Sequence, residues 1–189
     1  MKQNNLNIAL YGGSFDPPHI AHEQIIKYSL TKLNIDKLIV IPTYLNPLKT
    51  DSYLTPWQRY HLMKKLSNNL NPNKIIVEDY EIKNNQATTT YQTLQFIKQK
   101  FNPNKIYLII GEDNLIILHK WYNYKKILKD VILVVATRNI QQQIIIPYQY
   151  ISLPIDINIS STNLRQNLQL KYVPKSIQQD IKNIFLKQN

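Results

Sequence analysis

Short apolar runs recur along this chain, separated by longer stretches whose apolar residues fall at helical spacing. Leu6 to Tyr11, Asp36 to Ile41, Lys74 to Val77, Lys105 to Ile110 and Val131 to Ala136 are rich in Ile, Leu and Val. Runs of that length and composition suit strands buried on both faces. Tyr148 to Leu153 reads as a further strand at a sheet edge.

Helices are predicted between them. The first runs from about Pro18 to Thr31; a second starts at Thr55-Pro56-Trp57-Gln58, which has the capping-box form, and extends to about Ser67. Tyr60, Met63 and Leu66 then face the core, and Trp57 reads as packing. Thr88-Thr89-Thr90 offers an N-cap to a helix over Tyr91 to Ile97, and Gly111-Glu112-Asp113-Asn114 leads into a helical segment bearing Leu115, Leu118 and Trp121. Ser160 or Ser161 caps another helix, and a last amphipathic one covers about Pro174 to Leu186. Thr43 to Ser52 and Glu78 to Ala87 are polar stretches suited to substrate loops, and Arg138 to Pro147 is a linker.

Alternation of strand and helix predicts an α/β fold with a doubly wound parallel sheet, helices on both faces and ligands at the strands' carboxyl ends. The 189 residues are read as one domain, 1–189, with a helical end from about residue 160.

Composition narrows the chemistry. With no cysteine, there is no disulfide framework, cysteine-based zinc site or thiol nucleophile. The apolar run near the amino terminus is too short for a signal peptide or membrane span, so the expectation is a cytoplasmic protein with no membrane partner. A net charge of +11 invites a nucleic-acid reading. The lysines, however, are scattered singly and in pairs such as Lys64-Lys65, and abundant Ile, Asn, Lys and Tyr beside only 3 glycines is a bias that AT-rich codons produce. No nucleic-acid partner is expected; the positive field helps to capture anionic small substrates.

The most specific stretch is Gly12-Gly13-Ser14-Phe15-Asp16-Pro17-Pro18-His19-Ile20-Ala21-His22. Two glycines after a strand permit a sharp turn and close approach to a ligand. The prolines delay the helix until the histidines, where amide groups without intrahelical partners and the positive dipole end suit a phosphate. His19 and His22, at i and i+3, share one face. The same pair could be ordinary surface residues or, with Asp16, metal ligands.

On these residues the chain resembles the nucleotidyltransferase superfamily marked by an H-x-G-H motif, and within it the bacterial nicotinate-nucleotide adenylyltransferase family over nearly its full length. Further stretches carry the resemblance: Asn46-Pro47-Leu48-Lys49, Thr88-Thr89-Thr90 before Thr93-Leu94, Gly111-Glu112-Asp113 with Trp121, and Ile159-Ser160-Ser161-Thr162 with Arg165. Two departures stand out. Ala21 replaces the motif's glycine, adding a methyl expected to tighten the phosphate approach, and Thr88-Thr89-Thr90 replaces Ser-Tyr-Thr.

The resemblance implies a Rossmann-like sheet of the nucleotidyltransferase type and adenylyl transfer from ATP to nicotinate mononucleotide, giving deamido-NAD and pyrophosphate. It implies catalytic roles for His19, His22 and Arg165, with Gly12, Gly13, Ser14, Phe15, Gly111, Asp113, Ser160 and Ser161 completing the ATP site. Lys49, Thr88, Thr89, Thr90 and Trp121 would take the second substrate, the helix start holding its carboxylate and Trp121 its ring. Mg2+ is expected on the ATP phosphates, without dedicated protein ligands. Other acceptors within the superfamily, such as nicotinamide mononucleotide or phosphopantetheine, are the alternatives, with a noncatalytic RNA-binding protein more remote. A homodimer is left open.

Overall fold

The computed structural model describes residues 6–45, 52–137 and 147–188. The apolar runs become β1 (Asn7–Gly13), β2 (Lys37–Pro42), β3 (Ile75–Val77), β4 (Lys105–Gly111), β5 (Ile132–Thr137) and β6 (Ile151–Pro154). They form one sheet in the order β3-β2-β1-β4-β5-β6, and every neighbouring pair is parallel. The predicted doubly wound α/β architecture is the observed one. Its strand order reverses between β1 and β4, and such a switch point opens a crevice at the strands' carboxyl ends.

Alternation along each strand divides the core into two layers. Ala9, Tyr11, Leu38, Val40, Ile109 and Val134 point to one, where Ile25 and Ile26 of α1 (Ile20–Lys32), Met63 and Leu66 of α2 (Pro56–Leu70) and Leu164 join them. Ile8, Leu10, Ile39, Ile41, Leu108 and Val135 point to the other, beneath Leu94, Leu115 and Ile127. Because helices cover both faces, the strands carry no polar alternation.

The remaining helices are α3 (Tyr80–Lys83), α4 (Thr90–Phe101), α5 (Glu112–Ile117), α6 (Tyr124–Asp130), α7 (Ser161–Gln166) and α8 (Gln178–Gln188). Three differ from expectation. The polar stretch after β3 contains α3, which buries Glu81 and Ile82. The segment after β4 breaks into α5, a 3-10 turn over Leu118–Lys120, and a separate α6 that starts after Asn123 at φ 55. The final helix begins later, after a 3-10 turn at Lys175–Ile177. Trp57 is 46% exposed, edge-on to Tyr60, so it lies at the surface rather than in the packing predicted for it. No helix among the described residues is long and apolar enough to cross a membrane.

Candidate active site

Gly12 and Gly13 do not make the turn predicted for them. They continue β1, in register with Ile41 and Pro42, and no described glycine has a positive φ. The chain turns at Phe15, φ 49, followed by a cis Asp16–Pro17 peptide. Gly13 leaves room for the Phe15 ring: a Cβ there would stand 3.0 Å from it, so the ring would have to shift by a few tenths of an ångström. That ring is buried edge-on between Tyr11 at 5.3 Å and His22 at 5.0 Å, so it packs the turn from within.

His19 is the N-cap of α1 and His22 its third residue. Their rings stack at 3.6 Å with 18° between planes. The His19 backbone N–H donates to His22 Nδ1 at 3.1 Å. An accepting Nδ1 places the proton of a neutral imidazole on Nε2, which makes Nε2 of His22 a hydrogen-bond donor at the far side of the ring. Ala21 is 2% exposed and belongs to the core layer that contains Ile25 and Tyr11. The expectation that its methyl crowds a phosphate is therefore corrected; the methyl is used in packing.

The end of the chain returns to this turn. Ser160 caps α7 by accepting from the Asn163 N–H at 3.1 Å, which resolves the choice between the two serines. Ser161 Oγ donates to the Pro17 carbonyl at 3.0 Å. Arg165 Nη1 donates to the Asp16 carbonyl at 2.6 Å, and its Nη2 donates to Thr162 Oγ1 at 3.1 Å. The Asp16 carboxylate accepts from the Tyr53 and Leu54 amides at 2.9 and 2.8 Å, so it is a structural anchor. No cluster of three His, Cys, Asp or Glu able to hold a metal occurs among the described residues.

At the switch point lies a cavity of about 280 Å³. Gly12, Gly13 and Ser14 form one wall, Thr88, Thr89 and Thr90 another, and Trp121 a third. The structure thus joins the glycine stretch to every described residue predicted for the second substrate; Lys49 and its neighbours from Asn46 lie outside the described residues. Thr89 is the N-cap of α4, and its backbone N–H already donates to Gln92 Oε1 at 2.9 Å. The amides of Thr90 and Tyr91, in the first turn, have no acceptor within the helix. Gly111 and Asp113 stand at the end of β4 and the start of α5, outside the cavity wall; a methyl on Gly111 would meet nothing within 4 Å.

Two residues that sequence reasoning missed stand out. Arg59, on α2, is 1% exposed and donates only to main-chain carbonyls in its described hydrogen bonds. Its position, four residues before Met63 and seven before Leu66, places it in the apolar stripe of α2, and that was the available signal. Glu81 lines the cavity and accepts from Thr93 Oγ1 at 2.6 Å.

Burial raises the Glu81 carboxyl from 4.5 to about 7, against the opposing pull of the Thr93 hydrogen bond and the Arg59 charge. Between those values the folded protein holds a proton that the unfolded chain has released. Stability contributed by this group therefore falls as pH rises through that window. Glu81→Gln is expected to stabilise the fold at pH 8, by roughly 3 kcal/mol at most, and so to raise the unfolding temperature there, with no gain at pH 4. Thermal unfolding across that range checks it, and a gain independent of pH would remove the carboxyl from the explanation.

Comparison with known proteins bears on the family and the fold. The cytidylyltransferase-like family model matches residues 10–167. A protein of Campylobacter fetus named "Probable nicotinate-nucleotide adenylyltransferase" is 43% identical over 97% of this chain and 99% of its own length. Its namesake in Aliarcobacter butzleri is 42% identical over 95% and 97%. Among solved structures, nicotinic acid mononucleotide adenylyltransferase of Plasmodium falciparum, complexed with NaAD, is similar with a TM-score of 0.74 and 25% identity, covering 97% of this chain and 98% of that one.

Proposed function

The chain belongs to the cytidylyltransferase-like family and, within it, to the nicotinate-nucleotide adenylyltransferases; from that premise we propose how its cavity and turn carry out the reaction. The enzyme transfers the adenylyl group of ATP to nicotinate mononucleotide and releases pyrophosphate, producing deamido-NAD for NAD biosynthesis. The acceptor's phosphate oxygen attacks the α-phosphorus as the bond to pyrophosphate breaks. Nothing covalent forms on the protein, so catalysis rests on positioning and charge stabilisation.

One observation carries the assignment of roles: both halves of the site share the turn from Gly12 to Pro17. Gly12 to Ser14 border the cavity, while Asp16 and Pro17 are held by Arg165 and Ser161. Nicotinate mononucleotide enters the cavity with its ring against Trp121 and its carboxylate toward the start of α4, through Thr90 and the threonines before it. The unpartnered amides at the start of α4 favour an acid over an amide, and Lys120 is the one cationic side chain among the described wall residues, which also include Glu81. ATP lies on the other side of the turn. In this reading Gly111 and Asp113 take its adenosine, His19 and His22 the transferred phosphoryl group, and Ser160, Ser161 and Arg165 the β and γ phosphates.

The groups assigned to the phosphates are hydroxyls, imidazoles, amides and a guanidinium, which fit phosphate oxygens; among the described residues no cluster of three His, Cys, Asp or Glu could hold a metal. Mg2+ bound through the ATP phosphates would neutralise part of their charge, while Ser160, Ser161 and Arg165 would hold the phosphates. Residues 1–189 are read as one nucleotidyltransferase domain.

Pyrophosphate release from ATP and Mg2+ tests the reading. Nicotinate mononucleotide, nicotinamide mononucleotide and 4′-phosphopantetheine are supplied in parallel, and turnover is expected to be fastest with the first. Absence of turnover with either mononucleotide would defeat it.

A further inference from the structure

No larger side chain among the described residues is as fully buried as Arg59, at 1% exposed. Its Nη1 donates to the carbonyls of Ser14 and Thr43 at 2.8 and 2.6 Å, its Nη2 to that of Tyr44 at 2.7 Å, and its Nε to that of Leu54 at 3.2 Å. Ser14 and Thr43 are both cavity-wall residues, at the ends of adjacent strands β1 and β2.

We propose that Arg59 is a positioning residue for adenylyl transfer: one guanidinium, lying behind the cavity, fixes the turn at Ser14, which both substrates share, against the end of β2 at Thr43, which lines the acceptor cavity. The proposal rests on the reading of the cavity given above. In-line attack needs two reactants at one separation, and small misplacement of a reacting group lowers the rate steeply. Arg59 bonds to the backbone rather than to side chains, so it fixes the frame on which the contacting groups sit.

The neighbouring interactions close this frame. The Asp16 carboxylate holds the amides of Tyr53 and Leu54, and Arg59 holds the Leu54 carbonyl, so the segment before α2 is tied to the turn from both sides. Directly between the strands, the Thr43 N–H donates to the Gly13 carbonyl at 3.0 Å. A lysine could not replace the guanidinium: its donors radiate from a single atom, whereas these four carbonyls need a planar fork with several donor positions. Burial lowers the Arg59 pKa, and the charges of Asp16 and Glu81 offset only part of that shift.

The test compares the wild-type chain with Arg59→Lys and Arg59→Met. Three quantities are read: the unfolding temperature, the kcat and KM for each substrate well below it, and the hydrogen exchange of the Thr43, Tyr53 and Leu54 amides without substrate. Folded variants are expected to lose at least tenfold in kcat, with faster exchange at Thr43. Folded variants with kcat and KM within twofold of wild type, or with unchanged exchange, would overturn the proposal. If neither variant folds, Arg59→Ala is assayed with added guanidinium: joint recovery of folding and kcat supports positioning, and recovery of folding alone, or no recovery, assigns Arg59 to the fold only. Wild-type turnover is measured first, so an inactive wild type would count against the functional reading, while the exchange data still decide whether Arg59 holds the two walls.

Discussion

Replacing His22 by asparagine is expected to lower kcat about 100- to 1,000-fold while leaving the start of α1 intact, the loss typical of removing one oriented donor from a developing oxyanion. The two nitrogens of His22 have separable tasks. Nδ1 accepts the His19 backbone N–H at 3.1 Å, and Nε2 faces away from that bond as a donor. Asparagine carries its amide oxygen near the position of Nδ1 and can keep the cap; it has nothing at Nε2. Glutamine reverses the substitution, reaching the Nε2 position and giving up the cap. His22→Gln is therefore expected to retain more kcat than His22→Asn despite a lower unfolding temperature. Steady-state kinetics and thermal unfolding of the two variants check this, and a wild-type kcat in the asparagine variant would reduce His22 to a helix cap.

Arg165 is expected to give the second large effect, on a different parameter. Its contacts to the Asp16 carbonyl and Thr162 hydroxyl, with the Asp16 carboxylate 3.7 Å away, hold the guanidinium at the turn to which we assign the phosphates. Loss of a charge-assisted pair to phosphate typically costs about 1.5–3 kcal/mol, so Arg165→Ala should lower kcat/KM for ATP by about 10- to 150-fold. Arg165→Lys keeps the charge but not the fork and should fall between. KM for nicotinate mononucleotide should change little, because the cavity wall does not include Arg165. Equal losses for both substrates would mean that Arg165 acts only by bracing the turn.

The sheet was legible because both of its faces are buried. Continuous runs such as Leu38 to Ile41 and Leu108 to Ile110 leave no polar alternation to mislead, and their spacing admits a helix between each pair. The cap at Thr55 is legible for a different reason, a capping box of residue types with few other uses there, whereas the approach of Ser161 and Arg165 to the amino-terminal turn follows only from the family resemblance. What escaped depends on three-dimensional packing. Two consecutive glycines point to a turn at Gly12 and Gly13, yet the positive φ falls on Phe15, whose ring packs beneath Gly13 against Tyr11 and His22. Ala21 was judged by its place in a motif, whereas the phase of α1 turns its methyl into the core. Arg59 escaped because its partners are main-chain carbonyls, which no residue type announces. Glu81 sat unnoticed in a polar stretch that α3 folds inward.

The pairing of β1 with β4 also bears on how the protein is made. Asn7 lies beside Lys105 in the centre of the sheet. At synthesis rates of roughly 5–20 residues per second, β1 leaves the ribosome some 5 to 20 seconds before the strand that will flank it on that side. During this interval only β2, and β3 beyond it, can be in place, and the apolar edge of β1 waits uncovered. The crevice between β1 and β4 therefore forms late in the birth of the chain, after more than half of it has been translated. Substitutions that weaken β4 should reveal themselves first as a poor yield of folded protein from cells, ahead of any change in the catalytic constants of the molecules that do fold.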